Sequence, residues 1–219
     1  MAQVFHPAAN IIARLSIAIG LGGAVGTLVL FDALQKSDYV TEVNMPREQV
    51  VPFSHKHHMA MGLDCRYCHT SVEDGAFAGI PPTKTCMNCH SLIWNEAPIL
   101  EPVRESWRTG KSLEWNRVHD LPEFVYFNHA AHLNAGVGCT DCHGRVDEMP
   151  LVWKENTLYM NFCLECHRQP EQFVRPRDQV FNMAYEKPAN QLEVGEELVR
   201  VHNINTSNHR LLDCYKCHR

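Results

Sequence analysis

The chain has 219 residues, 45% of them hydrophobic and 21% charged, which is ordinary for a globular protein of one or two domains. Its formal net charge is −5, and the lysines and arginines are scattered without a basic run. This distribution argues against nucleic acid as a partner, because nucleic-acid binding needs a concentrated basic surface. The 10 cysteines and 14 histidines are the conspicuous part of the composition.

An uncharged apolar segment lies near the N-terminus. The run from Leu15 to Phe31 carries no charged side chain, and Arg14 precedes it. Its length is at the short end of a membrane span and fits if the Arg14 side chain snorkels to the interface. A cleaved secretory signal peptide is the alternative, but no clean cleavage site with small residues follows the run. We therefore predict a transmembrane signal anchor at 11–34, after a short cytoplasmic segment at 1–10 and before a periplasmic domain at 35–219.

All cysteines of the chain fall in Cys-x-x-Cys-His motifs, which we number sites 1 to 5 in chain order: 65–69, 86–90, 139–143, 163–167 and 214–218. This motif is typical of covalent haem c attachment. The two thiols bond the porphyrin, and the adjoining histidine is the proximal ligand of the iron. We predict five covalently bound haem c groups, attached through Cys65, Cys68, Cys86, Cys89, Cys139, Cys142, Cys163, Cys166, Cys214 and Cys217. The predicted proximal ligands are His69, His90, His143, His167 and His218. Attachment requires export and reduced cysteines, so this domain is expected on the periplasmic side of the cell membrane.

Zinc is the main alternative for the cysteines. The spacing from Cys68 to Cys86 and the spacing from Cys142 to Cys163 both suit four-cysteine zinc ribbons. The histidine after each pair argues against zinc, because five in five would arise by chance about once in a million trials and zinc needs none of them. A disulfide framework is weaker still, since each short i,i+3 pair would need distant partners.

An internal repeat precedes sites 1 and 3. Residues 53–58 read FSHKHH and residues 127–132 read FNHAAH, so the phenylalanine, two histidines and the following cysteines match without a gap. Histidines at i and i+3 project from one helical face, yet their rings can reach different irons. We expect the first histidine of each pair on its own haem and the second on a neighbouring haem. His57 has no counterpart and is expected not to bind iron. The predicted distal ligands are His55, His58, His129 and His132.

Five six-coordinate irons need ten axial ligands, and the motifs and repeats supply nine. Met183 is predicted as the tenth, because it lies in a stretch with little periodicity, where a packing role is least expected. A methionine would raise the potential of that haem above its bis-histidine neighbours. The alternatives that stay open are Met160, Met149, His119, His202 and His209.

The distribution of motifs predicts the architecture. Haem pairs occupy 53–90 and 127–167, and a fifth haem at 214–218 follows a long stretch of mostly loop-like sequence. The segment 74–82 between the first two sites also has loop composition. We predict a mainly α fold with extensive coil, low strand content and one N-terminal transmembrane helix. In this multihaem cytochrome c fold with class III-like packing, haem faces form much of the core.

Two further segments carry a family resemblance. Residues 78–82 read AGIPP before site 2, and residues 115–122 read WNRVHDLP before the second repeat. With the repeats and the anchor, they make nearly the whole chain resemble the pentahaem c-type cytochrome subunit of alternative complex III, a quinol:electron acceptor oxidoreductase. The resemblance implies a membrane quinol-oxidising respiratory or photosynthetic complex. Its partners would be an iron–sulfur protein, a quinol-binding membrane subunit and a monohaem cytochrome. It also implies one histidine–methionine haem, without identifying the methionine.

The predicted function is an electron wire without a catalytic site of its own. Electrons from quinol would arrive through a partner's iron–sulfur clusters and leave towards a periplasmic carrier. A stand-alone small multihaem quinol dehydrogenase is the first alternative, and a multihaem nitrite-type reductase is the second. A reductase needs a haem with an open distal position, whereas all five motifs here end in histidine and the ligand count nearly saturates every iron.

Overall fold

The computed structural model describes residues 5–218, without the side chains of Asn208 and His209. It divides into two units, one ending at Val43 and one beginning at Asn44. Residues 1–4 of the predicted cytoplasmic segment and residue 219 therefore lie outside the described part.

The first unit is dominated by helix α1, Ala9–Lys36, followed by the short α2, Asp38–Thr41. No side chain of α1 is buried, and the predicted anchor at 11–34 lies inside it. Its residues are leucine, isoleucine, valine, alanine and glycine for most of its length, which favours a helix in an apolar environment. The helix is long and apolar enough to cross a membrane.

The second unit consists of short helices joined by loops. The α-helices are α3 His55–Ala60, α4 Cys65–Cys68, α5 Thr83–His90, α6 Glu101–Thr109, α7 His129–Asn134, α8 Cys139–His143, α9 Met160–Arg168, α10 Gln191–Val201 and α11 Cys214–Cys217. Short 3-10 helices occupy Pro98–Leu100, Val146–Glu148, Pro170–Gln172, Arg177–Gln179 and Ser207–Leu212. No β-strand is described within residues 5–218, and an isolated antiparallel bridge joins Val125 to His218. The predicted mainly α fold with extensive coil is confirmed.

Side-chain caps place the ligand-bearing helices. The Ser54 hydroxyl accepts a hydrogen bond from the His57 N–H at the start of α3, and Asn128 Oδ1 accepts one from the Ala131 N–H at the start of α7. These caps satisfy amide groups that have no partner inside the helix. The two helices are each six residues long. The sequence repeat is therefore also a repeat of local structure.

Protein side chains form only a small core around the sites. Val51, Leu100 and Val103 pack together near site 2, and Cys86 and Trp115 lie against them. Other buried apolar residues are spread through helix α7 and the loops of the second unit: Val72, Ala130, Met149, Val174, Val180 and Met183.

One expectation about the fold is wrong. The segment between sites 4 and 5 was expected to be mostly loop-like, but it contains the 11-residue helix α10. Gly195 lowers the helical propensity in the middle of this segment and obscures the pattern. The structure explains the glycine, because a Cβ atom there would overlap the carbonyl oxygen of Glu171 in the 3-10 helix against which α10 packs.

Candidate haem-binding sites

Four histidine pairs bring the attachment motifs and the repeats together. In each pair, a motif histidine faces a repeat histidine with ring centroids between 6.1 and 6.4 Å apart. Because a metal–imidazole bond is about 2 Å long, two rings bound to opposite faces of one iron have centroids about 6 Å apart. The pairs are His55–His69 at 6.4 Å, His58–His90 at 6.2 Å, His129–His143 at 6.3 Å and His132–His167 at 6.1 Å.

The pairing follows the order of the histidines in each repeat. The first histidine faces the motif of its own repeat, with ring planes 6° apart for His55–His69 and 8° apart for His129–His143. The second histidine faces the next motif along the chain, with larger angles of 69° at site 2 and 35° at site 4. This is the arrangement expected from the i and i+3 spacing. His57, between the two histidines of the first repeat, is exposed.

Backbone carbonyls orient six of these eight imidazoles. The Nδ1 atoms lie 2.7–3.0 Å from carbonyl oxygens. A proton on Nδ1 is then shared with the carbonyl, which leaves the Nε2 lone pair for a metal. The pairs are His58 with Ser54, His69 with Gly79, His90 with Ile93, His129 with Ala76, His132 with Asn128, and His167 with Leu211.

The phenylalanine of each repeat packs against both of its histidines. Phe53 stacks on His58 with centroids 4.3 Å apart, and Phe127 stacks on His132 at 4.6 Å. The same rings meet His55 and His129 edge-on, at 4.9 and 4.7 Å. The sequence showed that the phenylalanine repeats, but only the structure shows that it holds the second imidazole in place.

The protein environment favours neutral imidazoles. Burial lowers the pKa of His143 to about 3, and burial with the neighbouring His69 lowers the pKa of His55 to about 4. Burial also lowers the pKa of His132. A neutral imidazole is the form that binds a metal, so these side chains are in the required protonation state near neutral pH.

The cysteines are arranged as separate pairs, one in each motif. All ten are free of disulfide bonds. Burial raises the pKa of Cys142 to about 12 and those of Cys139 and Cys166 to about 11. The surroundings of these three favour an uncharged sulfur, as in a thioether, over the thiolate that zinc requires. Among the side chains that the structure describes, no three histidine, cysteine or acidic groups converge as a metal-binding group.

Site 5 differs from the others. Its histidine, His218, has the ring of Phe124 stacked 6.0 Å away, and Val125 forms the bridge to it. The Tyr126 N–H donates a hydrogen bond of 2.7 Å to the Cys217 carbonyl. The segment before the second repeat therefore packs on this motif.

The candidates for the tenth ligand are spread over the unit. Met183 is only 7% exposed. Met149 is buried too, and Met160 is exposed on the first turn of α9. The side chain of His209 lies outside the described residues. His202 Nδ1 lies 3.0 Å from the Ala135 carbonyl oxygen. None of these observations identifies the ligand, and Met183 stays a prediction.

His119 lies against site 3. Its ring centroid is 4.3 Å from that of His143, with the planes 74° apart, which is too close for two rings on opposite faces of one iron. Its Nε2 atom is buried without a hydrogen-bond partner among the described residues. Burial lowers its pKa to about 4.

Arg175 supports site 3 and was not found from the sequence. It is 2% exposed, and its Nη2 lies 2.8 Å from Asp141 Oδ2 and 3.1 Å from Thr140 Oγ1, inside the motif itself. The guanidinium also lies 4.6 Å from the centroid of the Tyr185 ring. Gly138 leaves space for it, since a Cβ atom there would overlap the guanidinium. No sequence pattern predicts that an arginine in a loop will contact a motif that lies well before it in the chain.

Comparison with known proteins agrees with this geometry. Residues 125–219 match the family described as cytochrome c7 and related cytochrome c. The fold is that of a multihaem cytochrome c. A relative from Nitratidesulfovibrio vulgaris, named menaquinone reductase, multihaem cytochrome c subunit, is 40% identical over 99 residues. The match covers 44% of this chain and 46% of the relative, so the chain spans about half the length of that relative.

The family match indicates the cofactor. The matched residues include sites 3, 4 and 5, and the family implies covalently bound haem c. Sites 1 and 2 lie outside the matched residues, but site 1 repeats the pattern of site 3 in sequence and in ring geometry. The total of five haems stays a prediction.

Proposed function

We propose that this chain is a membrane-anchored pentahaem cytochrome c that relays electrons within a quinone-linked membrane complex. The observation that carries the proposal is the set of four histidine pairs, each with the ring separation that one iron requires. Each haem, when bound, supplies reversible one-electron oxidation and reduction. The protein supplies attachment, axial ligands and an environment that sets the potentials.

The proposed ligands follow the ring pairs. At sites 1 to 4 the motif histidines are proximal, and His55, His58, His129 and His132 are distal in that order. At site 5, His218 is proximal, and Met183 is proposed as the distal ligand, with Met160, Met149, His119 and His209 as alternatives. The carbonyl partners of Nδ1 and the two stacked phenylalanines fix the orientation of these rings.

The arrangement supports electron transfer without bond-making chemistry. With protein imidazoles on both faces of four irons, those sites have no open position for a substrate. A nitrite-type reductase would need such a position, and a stand-alone quinol dehydrogenase would need its own quinol-binding pocket. We therefore propose a subunit whose activity depends on partners.

The direction of electron flow has two candidates. The resemblance to the alternative complex III subunit implies that electrons come from quinol, through a quinol-binding membrane subunit and an iron–sulfur protein, and leave towards a monohaem cytochrome or another periplasmic carrier. The relative is named a menaquinone reductase subunit, which favours flow towards the quinone. We propose the first direction, and the second is its specific alternative.

Helix α1 is proposed to anchor the chain in the cell membrane, with the second unit on the periplasmic side. Its length and apolar composition support the anchor. The five attachment motifs support the periplasmic orientation, since haem is joined to reduced thiols after export.

Purification in mild detergent tests the proposal. The full-length chain should co-purify with an iron–sulfur protein and a membrane subunit. The complex should be reduced by menaquinol, whereas the separated chain should accept electrons from dithionite and pass them to a cytochrome c. Robust menaquinol oxidation or nitrite reduction by the separated chain would contradict the proposal. Reduction of the quinone by a reduced periplasmic carrier, without the reverse reaction, would favour the alternative direction.

A further inference from the structure

We infer that the five sites form one unbranched series in the spatial order 2–1–3–4–5, with sites 2 and 5 at its ends. This inference rests on the proposed function, because it concerns how the attached haems follow one another. This spatial order differs from the order of the motifs along the chain, which would place site 1 at one end of the series.

Sites 2 and 1 are direct neighbours. Helix α3 supplies the ring that faces site 1 and the ring that faces His90 of site 2. Asn88 of site 2 donates a hydrogen bond of 3.0 Å to the Tyr67 hydroxyl of site 1.

Sites 1 and 3 are joined through the loop that follows site 1. The Ala76 carbonyl accepts a hydrogen bond from the His129 N–H at 3.1 Å and lies 3.0 Å from His129 Nδ1. On the other side, the Lys56 N–H on α3 donates to the carbonyl of Met149, which follows site 3.

Sites 3 and 4 share helix α7. His129 of this helix faces site 3, and His132 faces His167 of site 4. Helix α7 therefore connects these sites as α3 connects sites 1 and 2.

Site 5 follows site 4. The Leu211 carbonyl, just before site 5, lies 2.8 Å from His167 Nδ1 of site 4. The hydrogen bond from the Tyr126 N–H to the Cys217 carbonyl brings site 5 to the segment that leads into α7.

Burial supports the same order independently. Among the ten cysteines, only Cys89 of site 2 and Cys214 of site 5 are exposed. All cysteines of sites 1, 3 and 4 are partly buried. In an unbranched series, the end sites are expected to be the most accessible. Electron exchange with partner proteins is therefore expected at sites 2 and 5.

Pulsed dipolar electron paramagnetic resonance (EPR) of the oxidised full-length protein tests the order. In the series 2–1–3–4–5, the longest iron–iron distance joins sites 2 and 5. The end variants Cys86→Ala/Cys89→Ala and Cys214→Ala/Cys217→Ala should each lose that distance. The matched internal variant Cys163→Ala/Cys166→Ala should keep it. Loss of the longest distance in the internal variant, or its retention in an end variant, would overturn the order.

If a variant that lacks one attachment site does not fold, substitutions of single axial ligands test the order instead. His58→Met changes the EPR signal of site 2, and His55→Met that of site 1, while every haem stays attached. The iron marked by His58→Met should take part in the longest distance, and the iron marked by His55→Met should not. The reverse result would overturn the order. A haem count below five in the unmodified protein would instead contradict the proposed function.

Discussion

The rings of His55 and His69 lie 6.4 Å apart with their planes only 6° from parallel. The equivalent rings of His129 and His143 have nearly the same geometry, 6.3 Å and 8°. The same local sequence thus places two histidines face to face at two separate positions in the chain. A metal-centred group bound between the two rings would account for this separation.

The contrast between neighbouring histidines in α3 gives the first prediction. His58→Ala should convert one haem to high spin, because the iron at site 2 loses its distal imidazole. His57→Ala is the matched control and should leave the spectra unchanged, since His57 is exposed. Optical and EPR spectra of the oxidised proteins measure the spin states. Equal damage from both substitutions would show that the ligand assignment within this repeat is wrong.

The stacking of Phe127 on His132 gives the second prediction. Phe127→Leu retains an apolar side chain but removes an aromatic contact worth about 1 kcal/mol. The EPR signal of site 4 should broaden, because the imidazole of His132 is less firmly oriented, and those of sites 1 and 2 should not change. Phe77→Leu, at a ring that is 60% exposed, is the control. A uniform change at all sites would indicate general destabilisation instead.

The buried ion pair of Arg175 and Asp141 gives the third prediction. Arg175→Met leaves the Asp141 carboxylate without its partner and should lower the free energy of unfolding by about 3–5 kcal/mol. Arg200→Met removes an ion pair whose side chains are 73% and 54% exposed, and should change the free energy of unfolding far less. Denaturant unfolding measures both. Adding Asp141→Asn to Arg175→Met should recover part of the loss, and no recovery would contradict this account.

Asp64 gives a prediction about pH. Its carboxylate caps α4 and pairs with Arg66 at 2.8 Å, and this hydrogen bond is the main cause that lowers its pKa to about 2. A group with a lowered folded-state pKa stabilises the fold above its ordinary value of 3.8, and this contribution is lost as the pH falls towards about 2. Asp64→Asn keeps an acceptor but cannot titrate. The difference in unfolding midpoint between wild type and Asp64→Asn should shrink over this range, and a constant difference would argue against the prediction.

The sequence predicted the parts of the molecule that depend on short-range patterns. The Cys-x-x-Cys-His motifs and the i and i+3 histidines are local signals, so the helical fold and the expected pairing of rings could be stated before the structure. Arg175 could not be found, because its ion pair depends on how a distant loop packs over Gly138. Helix α10 was not predicted because Gly195 lowers the helical propensity of the segment. The glycine is needed there for the close contact with Glu171. The tenth ligand depends on the packing of loops, which carry no periodic signal.

The pyridine haemochrome assay on the purified full-length chain, related to protein concentration by amino-acid analysis, tests the central claim most directly. Five attachment motifs predict five haem c groups per chain that remain attached after denaturation. Stoichiometric zinc without haem absorbance would contradict the account, and so would a haem count limited to the sites within residues 125–219.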